Sequence, residues 1–179
     1  MKKALLIASV LFIAVISTAC INNIAVQELN NKAAEYMQKG DYEAAVNRLQ
    51  ASIDLDSTMY ETYYNLGIAA TNAKKYDVAI NAFEDGIKIK PDYANFYYSL
   101  AVAQSELAES IVEQEDEKDK KILSEEEKLK IAELKEAAIA NAQKYLELSP
   151  NAEDKEDVEE FLEDLNKVEK EEQPVLLKG

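Results

Sequence analysis

Cysteine occurs once in these 179 residues, at position 20, and histidine does not occur at all. A lone thiol cannot close an internal disulfide, but it can attack a lipid donor and form a thioether. The side chains just before it, Ser17-Thr18-Ala19, are small enough for a peptidase pocket to close on an extended chain. Without histidine, imidazole acid–base catalysis, Ser-His and Cys-His nucleophile pairs and most zinc and haem ligation drop out. Asp54-Leu55-Asp56 begins like a calcium loop, yet no glycine follows in register and the twelfth position is Asn65. There is no glycine-rich phosphate loop. Aspartate and glutamate number 35 against 20 lysines and arginines, a net charge of −15, so the phosphate backbone of a nucleic acid is an unfavourable partner. Carboxylates at this density belong mostly to solvated helix faces. No catalytic residue, cofactor or metal is expected, and the chain reads as a non-enzyme.

The elements around Cys20 are those of export. Lys2 and Lys3 precede thirteen residues, Ala4 to Ile16, that are apolar apart from Ser9. Such a run suits a secretory signal and is shorter than the ~20 residues that cross a bilayer. With Ser17-Thr18-Ala19-Cys20 it resembles the lipobox of bacterial lipoproteins, departing from it at Ser17, where a branched aliphatic residue is usual. The resemblance implies a signal peptide over 1–19, lipidation at Cys20 (palmitate and related acyl chains), a short linker over 20–25 and an extracytoplasmic, membrane-anchored domain. Each buried CH₂ of the acyl chains contributes ~0.8 kcal/mol, enough in sum for a durable anchor. Ile21 is not the aspartate associated with inner-membrane retention, so the periplasmic face of an outer membrane is expected where the organism has one.

Beyond the anchor, few glycines and prolines and many Ala, Glu, Lys and Leu residues favour an all-α fold. Shifted by 34 residues, the chain matches itself: Tyr42-Glu43-Ala44-Ala45-Val46 falls on Tyr76-Asp77-Val78-Ala79-Ile80, Tyr63-Tyr64 on Tyr97-Tyr98, and Ala33 on Gly67 and Ala101. The second unit shows the pattern most fully, in Tyr63, Leu66, Gly67, Tyr76, Ala79, Phe83, Gly86 and Pro91. This spacing resembles the tetratricopeptide repeat, a pair of antiparallel helices A and B. The resemblance implies a solenoid of three helix-turn-helix units over 26–59, 60–93 and 94–150. Ala33, Gly67 and Ala101 on the A helices and Ala45, Ala79 and Ala138 on the B helices allow close crossings, and Tyr36, Tyr42, Tyr63, Tyr76, Phe83 and Tyr97 fill the space around them. Gly40 suits a left-handed turn, while Pro91 and Pro150 end B helices.

The third unit is too long. Its helix-B alanine, due near 113, arrives at Ala138, which implies a long helical-hairpin insertion over about 113–137 with a charged tip and a new helix start at Ser124 and Glu127. Val158, Phe161, Leu162, Leu165 and Val168 recur at helical spacing, marking 152–170 as a C-terminal capping helix with a charged outer face. Residues 171–179 read as a loose tail.

Tetratricopeptide stacks line a concave groove with their A helices. The resemblance places Asn30, Ala34 and Met37, then Tyr64, Asn65, Ile68 and Thr71, then Asn95, Tyr98, Val102 and Ser105 on that groove. Tyr64 and Tyr98 would stack above one another, and the asparagines would offer donors and acceptors to an extended peptide. Family members that clamp a terminal carboxylate do so with groove lysines and arginines, whose places here are taken by Asn, Tyr, Ser or apolar residues. The function expected is that of an adaptor or scaffold lipoprotein of the cell envelope, holding a segment of another envelope or membrane protein. The alternative is a ligand-binding accessory lipoprotein of a solute importer, which would need an enclosed pocket beside Tyr64 and Tyr98.

Overall fold

The computed structural model describes residues 23–116 and 123–172, and every regular element in them is a helix. The expected signal peptide at 1–19 and Cys20 lie outside the described residues, as do positions 117–122 of the expected insertion and 173–179 of the expected tail, whose first two residues belong to the last helix. Helix α1 covers 23–38, so residues 23–25, expected as linker, are already helical. It is followed by α2 (Tyr42–Leu55), α3 (Tyr60–Asn72), α4 (Tyr76–Ile89), α5 (Ala94–Asp116), α6 (Glu125–Leu148) and α7 (Lys155–Glu172). Successive helices pack as neighbours from α2 onward, which is the architecture of a tetratricopeptide-like solenoid.

The turns repeat along with the helices. Gly40 has φ +75°, and Lys74, thirty-four residues later, has φ +57°. At both places the helix ends in the same double bond to its last carbonyls: Gly40 N–H to Met37 and Asp41 N–H to Tyr36, then Lys74 N–H to Thr71 and Lys75 N–H to Ala70. The next residue starts the following helix, and Asp41 caps α2 by accepting from Ala44 N–H at 3.1 Å. A second repeated tie joins units: Tyr63 donates its hydroxyl to the Ser57 carbonyl at 3.3 Å, and Tyr97 donates to that of Pro91 at 2.9 Å.

Ala33, Ala45, Ala79, Ala101 and Ala138 are all buried, as is Gly67, so the small side chains sit where backbones approach. The closest approaches are ring into notch. A Cβ on Gly67 would lie inside the Phe83 ring, and one on Gly86 inside that of Phe96. Phe83 and Phe96 are both fully buried and meet edge to face at 6.3 Å between centroids. Two core clusters result. One joins the first two units to Phe96, Leu100 and Ala103 of α5. The other gathers Ala101, Ala138, Ala142 and Tyr145 with Val158 and Leu165 of α7.

Helices α5 and α6 have 23 and 24 residues against 13 or 14 in α2 to α4, and they pack along one another. Between them a buried Gln104 accepts from the Asn141 amide at 3.0 Å. Helix α6 opens with a full capping box: Ser124 Oγ accepts from Glu127 N–H, and the Glu127 carboxylate accepts from Ser124 N–H at 2.8 Å.

Because the notch at Gly67 is filled by a ring that cannot retreat, Gly67→Ala should destabilise the protein by about 1–3 kcal/mol, measured by urea unfolding followed by circular dichroism. Adding Phe83→Leu should cost less than the sum of the two single changes, since the smaller side chain relieves the clash.

Candidate functional site

Helices α1, α3 and α5 carry the expected groove positions, and the structure sorts those residues into two groups. The first group packs wholly or in part against neighbouring elements. The Asn30 amide donates to Thr62 Oγ1 at 3.2 Å, bridging α1 and α3, while its carbonyl oxygen is buried without a partner among the described residues. Tyr64 lies against Phe83 at 6.1 Å and edge-on to Tyr93 and Phe96 at 5.5 and 5.6 Å. Tyr98 meets Tyr145 of α6 at 5.4 Å and Phe161 of α7 at 5.9 Å. Each tyrosine therefore tucks under the next unit, and the two rings belong to separate aromatic groups instead of stacking on each other. The periodicity that placed them 34 residues apart also repeats their packing partners, which keeps them apart. Met37 and Ile68 are half-buried against the first core cluster, Thr71 donates back to the Gly67 carbonyl, and Ser105 is buried.

The second group faces outward. Ala34, Asn65 and Asn95 are exposed, and Val102 is half-exposed one turn beyond Tyr98. The Asn95 amide only grazes the Tyr93 hydroxyl, at 3.4 Å. This leaves asparagine amides on two successive A helices, flanked by Ile68 and Val102, turned toward whatever lies along the face.

At the end of the row stands a group that sequence reasoning missed. Tyr145 is buried and donates its hydroxyl to Asp154 at 2.5 Å. Burial first, then the hydrogen bond to Asp154 and its charge, then the nearby Tyr98 and Tyr64 phenols push the Tyr145 pKa up to about 12. Burial, followed by the charges of Asp154 and Asp157, raises that of Tyr98 as well. Two phenols, Tyr145 and Tyr98, thus meet Asp154 and the charge of Asp157 where α5, α6 and the start of α7 come together. At neutral pH Tyr145 and Tyr98 keep their protons, so the group can hydrogen-bond and stack but supplies no strong base. Tyr145 escaped notice because the equivalent place in the second unit is Gly86, and a self-alignment finds likeness rather than replacement. Farther along α5, an open cleft of about 480 Å³ runs between α5 and α7, lined by Ala108, Val112, Phe161 and Leu165 and rimmed by Glu109, Glu113, Asp164 and Lys135. Among the described residues no three acidic side chains are placed to hold a metal ion, and no helix is long and apolar enough to cross a membrane.

Comparison with known proteins agrees with this geometry. A family model described as a tetratricopeptide repeat matches residues 60–93, and one described as a TPR repeat matches 33–70. Small glutamine-rich tetratricopeptide repeat-containing protein 2 of Mycosarcoma maydis is 25 % identical over 81 residues, which is 45 % of this chain and 23 % of that protein. The tetratricopeptide repeat and J domain-containing co-chaperone DNJ1 of Cryptococcus neoformans is 26 % identical over 104 residues, 56 % of this chain and 20 % of that one. The chain thus spans less than a quarter of the length of either curated relative. Among solved structures, the first TPR domain of Spaghetti (RPAP3), bound to the HSP90 peptide SRMEEVD, superposes with a TM-score of 0.61 at 18 % identity, covering 80 % of this chain and 91 % of that one. The TPR2B domain of yeast Sti1 in complex with pHsp70 gives 0.62 at 15 %, covering 80 % and 98 %. The Yersinia enterocolitica type III secretion chaperone SycD, in complex with a peptide of the translocator YopD, gives 0.59 at 18 %, covering 80 % and 93 %. The likeness to these structures is one of fold. Residues 33–93 thus match models of the tetratricopeptide repeat, a unit that acts in protein–protein interaction.

The Tyr145–Asp154 pair makes stability depend on pH in a definite direction. The fold favours the neutral phenol, so the contribution is complete below the ordinary tyrosine pKa of 10 and is lost as pH climbs to about 12. Denaturation midpoints recorded through that window should fall with rising pH. Tyr145→Phe should make the decline shallower, with the remainder carried by Tyr63, Tyr76 and Tyr98, whose pKa values are also raised.

Proposed function

We propose that this protein is a membrane-tethered, extracytoplasmic lipoprotein, anchored through Cys20, whose concave helical face holds a segment of another envelope protein. It works as an adaptor or scaffold and not as an enzyme. The observation that carries the reading is the outward pair Asn65 and Asn95 on successive A helices, beside Ile68 and Val102. Amides on a rigid, preformed surface can pair with the backbone of an extended chain, and half-exposed aliphatic side chains supply the area its anchors bury. The bound peptides of Spaghetti and SycD give the same use of this fold in other proteins.

The anchor rests on Lys2-Lys3, the apolar run to Ile16 and Ser17-Thr18-Ala19-Cys20. Only Ile21 and Asn22 separate Cys20 from residue 23, the first described residue of α1, so a lipid on Cys20 would hold the α1 edge of the solenoid close to the bilayer. The net negative charge, which loss of Lys2 and Lys3 with the signal peptide would deepen, opposes anionic headgroups and favours a domain that projects away from that edge. The importer reading has less support, because the rings of Tyr64 and Tyr98, which were to wall its pocket together, pack into separate aromatic groups.

Asn65→Ala with Asn95→Ala should weaken capture of the partner from detergent-solubilised membranes by roughly tenfold while leaving the melting temperature unchanged, since both side chains are exposed. Undiminished capture would move the contact to another surface. For the anchor, Cys20→Ala should leave an unprocessed precursor that takes up no radiolabelled acyl chain; normal maturation of that variant would remove the lipoprotein assignment.

A further inference from the structure

Resting on the peptide-holding reading above, we infer that the partner segment is cationic: a lysine or arginine, set among apolar residues, seats over the half-exposed ring of Tyr98 beside Asp154 and Asp157, where α7 closes the groove.

The argument is one of charge and aromatic complementarity along a single surface. The Tyr98 ring is fixed from two sides by Tyr145 and Phe161, yet it is only half-buried and its hydroxyl has no hydrogen-bond partner among the described residues. Ring faces attract cations, and an ordered, partly dehydrated ring does so more strongly than a mobile one. Asp154 and Asp157 both act electrostatically on that phenol. Asp154 accepts the Tyr145 proton in a hydrogen bond, which spreads its negative charge without cancelling it. Asp157 is exposed and has no lysine or arginine within ion-pair distance among the described residues. Farther along α5 the sign persists: the apolar floor of Ala108, Val112, Phe161 and Leu165 is rimmed by three carboxylates against one lysine. On the A helices the outward groove positions are Asn65 and Asn95, which carry no charge to offset it. An acidic segment such as the SRMEEVD bound by Spaghetti would meet repulsion where the face runs past Asp154, Asp157 and the carboxylates of the cleft. A segment with basic residues between apolar anchors would be attracted at long range and paired at contact.

The test is selection of a displayed random peptide library on the full chain in detergent, followed by affinity measurement on a selected peptide and on SRMEEVD. The selected sequences are expected to be enriched in lysine and arginine over aspartate and glutamate, and SRMEEVD is expected not to bind. Asp157→Asn should weaken the selected peptide on the order of tenfold, and Tyr98→Phe, which keeps the ring, should leave most of the affinity. Glu84→Gln, on the exposed face of α4, controls for unspecific attraction to an acidic protein. Selection of acidic or uncharged sequences, binding of SRMEEVD as tight as that of the selected peptide, or equal weakening by Asp157→Asn and Glu84→Gln would each overturn the inference. If no peptide is selected, or if Asn65→Ala with Asn95→Ala leaves binding intact, the peptide-holding reading itself falls and takes the inference with it. Basic peptides that need Asn65 and Asn95 but ignore Asp157 would overturn the inference alone.

Discussion

Among the described residues, two places in the helix interiors leave no room for a side chain. Gly67 and Gly86 lie where the rings of Phe83 and Phe96 press against a neighbouring helix backbone. Removal of the Cβ is what lets α3 and α4, and then α4 and α5, approach closely enough for each ring to be enclosed on all sides. A buried Phe supplies a large apolar area, but only if the opposing surface recedes to receive it. The notch at Gly86 receives a ring from the next unit, so unit and successor are interlocked rather than merely adjacent. The rest of the aromatic system is arranged about that contact: Tyr60, Tyr64 and Tyr93 all meet Phe96 at 5.3 to 6.4 Å.

How much of this could be read from the residues depends on whether a feature repeats. Helix pairing, the small-residue crossings and the turn at Gly40 recur every 34 positions, and recurrence makes them visible even when the residue changes. Lys74 takes the left-handed place of Gly40 because the two-bond helix ending holds it there, although the side chain disfavours it. Phe96 and Tyr145 do not recur. At the place of Phe96 the second unit has Thr62, and at the place of Tyr145 it has Gly86, so both were invisible to a shifted comparison. They are related by steric exchange: where the second unit leaves a gap for its neighbour's ring, the third fills the equivalent space with its own.

The face positions were identified by periodicity, but their division of labour was not. Tyr64 and Tyr98 looked like a ladder of ligand contacts because equal spacing puts them in line. Equal spacing also puts each under the following unit, and burying most of a ring there is worth more than leaving it in a groove to await a partner. The same competition consumed Asn30, whose amide crosses to Thr62. The surface left for recognition is therefore narrower than the sequence suggested, and it is carried by the side chains that packing did not claim and by the part of Tyr98 that packing leaves exposed.

The end of the solenoid shows how a structural requirement sets a functional one. A stack of repeats must finish with an element that is apolar toward its neighbour and polar outward, or the last unit would remain open to further stacking. Helix α7 meets this requirement with Val158, Phe161 and Leu165 inside, and with Glu156, Asp157, Glu159, Glu160, Glu163 and Asp164 elsewhere. Because Phe161 reaches Tyr98, the helix that seals the core also forms one wall of the groove. Its outward charge is then no longer neutral with respect to binding: carboxylates that serve solubility on the free side lie beside an aromatic face on the other. Lysines at the same positions would have capped the solenoid equally well, while reversing the sign of the surface offered to a partner.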